Sequence, residues 1–204
     1  MRVFVGIDLD PEVRRRIERF TEEVRGFAPE AKWIRTESLH VTLKFIGEQP
    51  QDCVDSIAAV LETIEMPSFE LAIAENGFFP NAKAPRVFWI GVGPSDRLLA
   101  LAKRVDDVVA ELGLAREERP YSPHLTLARG PGRSSGSPTW GKGDRANSVF
   151  APLQKRLEQF RPPIFGTMAV REFILYQSQL SPSGSKYTKL RRFPLQNGVG
   201  SRAE

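Results

Sequence analysis

Apolar residues recur along this chain with two periods, and the change from one to the other marks out its elements. Two short runs rich in β-branched and aromatic residues, VFVGI from residue 3 and VFWIGV from residue 87, have the pattern of buried strands. Each leads through a proline-containing turn, at residues 8–12 and 91–96, into helical spacing over residues 12 to about 25 and 96 to about 112. In the second helix Leu98, Leu101, Val105, Val108 and Leu112 make one apolar face. Further strands begin at His40 (HVTLKFIG) and His124 (HLTLAR). Between them the pattern predicts a helix over 52–65, a strand in FELAIAENGFF and a turn at 80–85. Beyond them it predicts a helix over 150–160 and a hairpin of strands 169–179 and 186–193 around LSPSGS.

The pattern repeats at an offset of 84 residues. Arg2-Val3-Phe4 falls on Arg86-Val87-Phe88, Ser38 on Ser122 and His40 on His124. Each unit, about 2–47 and 86–131, is strand, helix, strand, with the histidine near the start of the last strand. Residues 130–148 are rich in Gly, Ser and basic side chains without apolar periodicity, which predicts a mobile loop, and residues 197–204 predict a frayed, disordered tail.

Composition sharpens this in three places. The chain of 204 residues is long enough for one domain or two small lobes, and it has no apolar run near the ~20 residues needed to span a bilayer. Asp8 and Asp10 interrupt the N-terminal apolar run, so no secretory signal is expected and the cytoplasm is the expected location. Cys53, the only cysteine, excludes an intramolecular disulfide and a cysteine-based metal cluster, and is expected to be an incidental, partly buried thiol. The net charge of +4 is uneven: residues 1–102 carry 12 basic and 16 acidic side chains, residues 103–204 carry 17 and 9. A basic C-terminal half suits a polyanion such as RNA, and equally an ordinary solvated surface. Phe78, Phe79, Phe88, Trp89 and Trp33 are expected in the core rather than as base-stacking platforms.

The chemistry lies in the histidines, of which there are only two. Strand alternation predicts that His40, Thr42 and Lys44 share one face while Val41, Leu43 and Phe45 share the other, and places His124 beside Thr126 over Leu125 and Leu127. Arg129 then faces away from His124 unless the strand ends or bulges before it. A single strand histidine is usually structural; two copies in matched contexts, using every histidine in the chain, indicate a paired acid and base. Two imidazoles and two hydroxyls around one cleft suit in-line phosphoryl transfer, with the threonines and Arg129 holding phosphate oxygens. Two histidines without clustered carboxylates or thiols make a poor permanent metal site, so no metal and no cofactor are expected. The residues alone leave open which histidine is acid and which is base.

The stretches RVFVGIDL, WIRTESLHVTLKFIGE, RVFWIGVG, ERPYSPHLTLARG and FILYQSQLSPSGSKYTKLRRFPL resemble the 2H phosphoesterases, named for two His-x-Thr-x motifs, and within them the LigT-like RNA 2′,3′-cyclic phosphodiesterases. The resemblance implies an α+β, bilobal 2H phosphoesterase fold: two pseudo-symmetric lobes with antiparallel-rich sheets, flanked by helices around a central cleft, in a single domain over residues 1–196. It implies metal-independent hydrolysis of RNA 2′,3′-cyclic phosphate ends to 2′-phosphomonoesters. His40 would be the proton donor, His124 the proton acceptor, and Thr42, Thr126 and Arg129 the phosphate-binding residues. Tyr176, Ser178 and Tyr187 are further expected to line the cleft. The expected partner is RNA bearing a 2′,3′-cyclic phosphate terminus, met by a monomer with no membrane and no obligate protein partner. Three alternatives remain: 2′–5′ RNA ligation as the reverse reaction, an RNA-binding module with a vestigial site, and a hydrolase of smaller nucleotide cyclic phosphates.

Overall fold

The computed structural model describes residues 1–131, 149–181 and 184–196. Its strands are β1 (Arg2–Asp8), β2 (Lys32–Trp33), β3 (His40–Glu48), β4 (Phe69–Phe79), β5 (Val87–Val92), β6 (His124–Arg129), β7 (Ile164–Val170), β8 (Glu172–Ser181) and β9 (Gly184–Pro194). Its α-helices are α1 (Pro11–Val24), α2 (Gln51–Leu61), α3 (Asp96–Ala110) and α4 (Ala151–Leu157). The loop expected over 130–148 lies outside the described residues except at Gly130 and Pro131, and the tail expected over 197–204 lies wholly outside them.

Local chemistry starts both long helices where the pattern predicts. The Asp10 carboxylate accepts from the backbone N–H of Glu12 at 2.8 Å and Pro11 follows it, while the Ser95 hydroxyl accepts from Leu98 N–H at 3.2 Å. Val13, Ile17, Thr21 and Val24 are the buried stripe of α1, and Leu98, Leu101, Val105 and Val108 that of α3. Leu112 lies past the end of α3 and is exposed.

The strands form two antiparallel sheets, ordered β3-β1-β8-β9 and β2-β6-β5-β4-β7. Each repeat thus places its two main strands side by side, β1 with β3 in one lobe and β5 with β6 in the other. The helices cross over: α1 packs against β7 of the five-stranded sheet, and α3 against β3 of the four-stranded sheet. One hydrophobic core accordingly runs through both lobes. This is the two-lobed α+β architecture that the family resemblance implies.

Three expectations need correction. The strand expected over 169–179 is two strands: exposed Arg171 separates β7, in one sheet, from β8, in the other. In β8 the pattern is a continuous buried run, Phe173, Ile174, Leu175 and Tyr176, because that central strand is covered on both faces. The second correction concerns Lys44 and Phe45. Gly6 pairs with Thr42 but Val5 pairs with Lys44, so Leu43 is an extra residue and the faces exchange after it. Lys44 turns inward, 5% exposed, to an ion pair with Asp106 on α3 and a 2.8 Å hydrogen bond to the Ala115 carbonyl. Phe45 turns outward, beside Phe4. The third is a matter of length, since α2 and α4 end at Leu61 and Leu157, short of the periodicity that suggested them.

Candidate active site

The face of the four-stranded sheet turned away from the main core carries His40, Thr42 and Phe45 on β3, with their register partners Asp8, Gly6 and Phe4 on β1. Next to these come Ile174 and Tyr176 on β8, which with Phe4 and the packed-on Tyr187 form a small cluster separate from the core. The corresponding face of the five-stranded sheet carries His124, Thr126 and Arg129 on β6, opposite Gly91, Trp89 and Val87 on β5. Here too an extra residue intervenes: Trp89 pairs with Thr126 and Phe88 with Ala128, so Leu127 is the bulge. That bulge returns Arg129 to the face of His124, the condition its use in the site required. The motif strands meet at the boundary between lobes, where the Tyr121 hydroxyl donates to the Thr42 carbonyl at 2.8 Å.

Both histidines are tethered in the same way. His40 Nδ1 lies 2.8 Å from the Ser38 carbonyl and His124 Nδ1 lies 2.7 Å from the Ser122 carbonyl. A carbonyl only accepts, so Nδ1 carries the hydrogen in each ring and Nε2 is left for proton transfer. Aromatic rings fix the planes: Phe4 packs on His40 at 4.5 Å with Tyr187 edge-on at 5.0 Å, and Phe79 packs edge-on to His124 at 4.9 Å. A side chain at Gly6 would press on the Val41 carbonyl and the His40 ring, whereas one at Gly91, the register partner of His124, would press on the Ala74 carbonyl.

The electrostatic surroundings of the two rings differ. Burial holds the His40 imidazole below its ordinary pKa; the Ser38 carbonyl and then the Asp8 carboxylate act upward, and Arg14 acts downward. Burial likewise holds His124 below its ordinary value, with the Ser122 carbonyl acting upward, but its charged neighbour is Arg129, which lowers it further. Asp8 is itself held by Arg14 at 2.5 Å and by Lys189, in a pocket of about 90 Å³ beside His40 that Tyr176 and Tyr187 also line. Among the described residues no group of three His, Cys, Asp or Glu side chains is placed to hold a metal ion.

The structure therefore gathers His40, Thr42, Tyr176 and Tyr187 in one lobe and His124, Thr126 and Arg129 in the other. Ser178 stands opposite Tyr187 in the β8–β9 register, one step further from the histidine. Of the aromatics expected in the core, Phe88 is fully buried, Phe78 packs against the core, and Trp33 packs there too with its indole N–H on the Ala28 carbonyl. Phe79 and Trp89 instead share the face of His124, with rings 5.2 Å apart; Gly77 leaves the room in which the indole lies. Sequence reasoning missed Asp8 and Phe4. Gly6, two residues after Phe4, was the available signal, since it leaves room for the His40 ring on which Phe4 packs.

A model of the 2′-5′ RNA ligase superfamily matches residues 9–177. The chain belongs to that superfamily. Among curated members, an RNA 2′,3′-cyclic phosphodiesterase of Archaeoglobus fulgidus is 32% identical over 95% of this chain and 99% of its own. One of Thermotoga maritima is 32% identical over 98% of each. The crystal structure of E. coli LigT in apo form matches with a TM-score of 0.73 at 27% identity, covering 96% of this chain and 98% of that one. Membership in the superfamily and this structural match agree with the two-lobed fold and with the 2H phosphoesterase pattern of its paired motifs. No α-helix among the described residues is long and apolar enough to cross a membrane.

Proposed function

We propose that this chain hydrolyses the 2′,3′-cyclic phosphodiester at the end of an RNA to a 2′-phosphomonoester, without a metal or cofactor, His124 acting as base and His40 as acid. Neutral His124 Nε2 takes a proton from water as the water oxygen bonds to phosphorus. The bond from phosphorus to O3′ breaks on the opposite side, and O3′ takes the proton of His40 Nε2. The product keeps its phosphate on O2′, and the two imidazoles exchange their protonation through solvent before the next turnover. Thr42, Thr126 and Arg129 donate to the non-bridging oxygens, whose charge grows in the transition state.

The observation that carries this reading is the matched tether of both histidines, Nδ1 to the carbonyl two residues back, which leaves Nε2 of each ring for proton transfer. The unequal neighbours support the division of roles. A carboxylate near His40 favours the proton it must carry, and a guanidinium near His124 favours the neutral form a base needs. The substrate class is supported by the relatives named RNA 2′,3′-cyclic phosphodiesterase. Both motifs come from one chain, so the reading takes residues 1–196 as one catalytic unit acting as a monomer, without an obligate protein partner. It takes the cytoplasm as the place of action.

The test is incubation with a short RNA ending in a 2′,3′-cyclic phosphate, in chelator, with the product's linkage determined. A 2′-phosphate supports the reading; RNA binding without turnover would replace it with the RNA-binding module. The superfamily's name favours one second reading, 2′–5′ ligation, in which an RNA 5′-hydroxyl takes the place of water, its oxygen bonding to phosphorus as the bond to O3′ breaks. Adding an acceptor RNA with a 5′-hydroxyl and looking for a 2′–5′ junction separates the two.

A further inference from the structure

The bulge at Leu127 that returns Arg129 to the face of His124 also decides what stands beside it. There β2 closes the edge of β6: Lys32 pairs with Arg129, Trp33 with Ala128, and Ile34 N–H donates to the Leu127 carbonyl at 2.8 Å. Residues directly opposite in an antiparallel pair share a face, so Lys32 stands with Arg129, Thr126 and His124, while Trp33 turns to the core against Phe88. β2 leads through the turn Thr36–Ser38 into β3, so Lys32 lies on the segment that joins the strands of the two motifs.

Lys32 and Arg129 are both exposed, and among the described residues neither has an ion-pair partner. Like charges directly opposite one another cost a sheet stability, so folding alone does not favour this pair. The cations of the other lobe's site face are matched: Arg14 and Lys189 by Asp8, and Arg192 by Glu172. At the equivalent positions 84 residues away stand Arg116, held by Asp106 and Asp107, and the uncharged Phe45. The unmatched pair therefore belongs to one lobe only, that of His124.

We propose that Lys32, beside Arg129, forms a second phosphate subsite, which takes the phosphodiester on O5′ of the terminal nucleoside while the cyclic phosphate lies between the histidines. The proposal rests on the phosphodiesterase reading and deepens it: the subsite makes a nucleotide chain a better substrate than a lone nucleoside cyclic phosphate. Arg129 lies about 7 Å along β6 from Thr126, two strand steps once the bulge is discounted, and Lys32 lies about 5 Å further across the sheet. A line of cations thus leads away from the reacting phosphate, as the phosphates of a nucleotide chain do. The guanidinium fork of Arg129 suits the oxygens of the reacting phosphate, and the Lys32 ammonium, a point charge on a flexible stem, suits the neighbouring diester. A contact with the backbone is blind to the base, so the subsite reads chain rather than sequence.

The experiment compares kcat/KM for uridine 2′,3′-cyclic phosphate with that for its 5′-(methyl phosphate), a diester without a second nucleoside, and for its 5′-monophosphate. It uses the parent, Lys32→Gln and Lys32→Arg. The parent should prefer the methyl diester over the 5′-hydroxyl substrate about tenfold, mainly through KM; Lys32→Gln should remove most of that preference and Lys32→Arg should keep it. A parent without the preference, or a preference that survives whole in Lys32→Gln, overturns the subsite while leaving the phosphodiesterase reading standing. A gain for the 5′-monophosphate alone overturns the chain as the source of the second phosphate, in favour of a free nucleotide. A parent that turns over none of these substrates nor the cyclic end of an RNA overturns the phosphodiesterase reading and the subsite with it.

Discussion

His40 and His124 each present one free nitrogen because the other is tied to a serine carbonyl, and this makes their removal chemically specific. His40→Ala and His124→Ala should each lower turnover by about two to four orders of magnitude while thermal unfolding stays close to that of the parent. Both imidazoles sit below the ordinary value of 6.5, so the bell of kcat/KM against pH, which reports the free protein, should centre on the acid side of 6.5. The bell of kcat should lie at higher pH, because bound phosphate stabilises an imidazolium. Folding stability depends on pH with the same sign. As pH falls below 6.5 the unfolded chain takes up these protons first, so stability is retained above that pH and lost as pH drops toward the folded values. Urea midpoints at pH 7 and pH 5 check this, the loss being smaller in His40→Asn. Arg129→Ala should raise KM and lower kcat about tenfold or more, through lost charge on the phosphate oxygens.

Alternation along a strand located each histidine but not the residues beyond its threonine, for one reason in both lobes. An extra residue, Leu43 or Leu127, leaves no mark on the apolar pattern, since a leucine suits either the core face or a bulge. The same feature that brought Arg129 to the site sent Lys44 inward, where it meets Asp106. Burial raises the Asp106 pKa, but the Lys44 ammonium and the Glu117 backbone N–H outweigh it and hold the carboxyl below its ordinary value. Asp106→Ala should therefore destabilise the protein by about 3 kcal/mol in urea titration, because a buried ammonium loses its counter-charge. The split of β7 from β8 was invisible for a related reason: Arg171 and Glu172 are a short polar step between two apolar runs, and only the change of sheet makes it a boundary.

The repeat, its strands and helices and the histidines were legible because each depends on short-range pattern and on an offset that can be counted. The crossing of α1 and α3 to the opposite lobes was not, since no local signal says which sheet an amphipathic helix covers. Nor were the rings that pack on the histidines from other strands, Phe4 on β1 for His40 and Phe79 on β4 for His124. What these long-range contacts create is a site with two like nitrogens in unlike fields, and the division of labour between them is the point most open to measurement. The decisive substrate is a 3′-deoxynucleoside 2′-(4-nitrophenyl) phosphate, whose leaving group departs without a proton. His40→Ala should hydrolyse this ester at nearly the parental rate although it fails on the cyclic phosphate, whereas His124→Ala should fail on both. Equal loss on both substrates in His40→Ala would contradict its role as the acid.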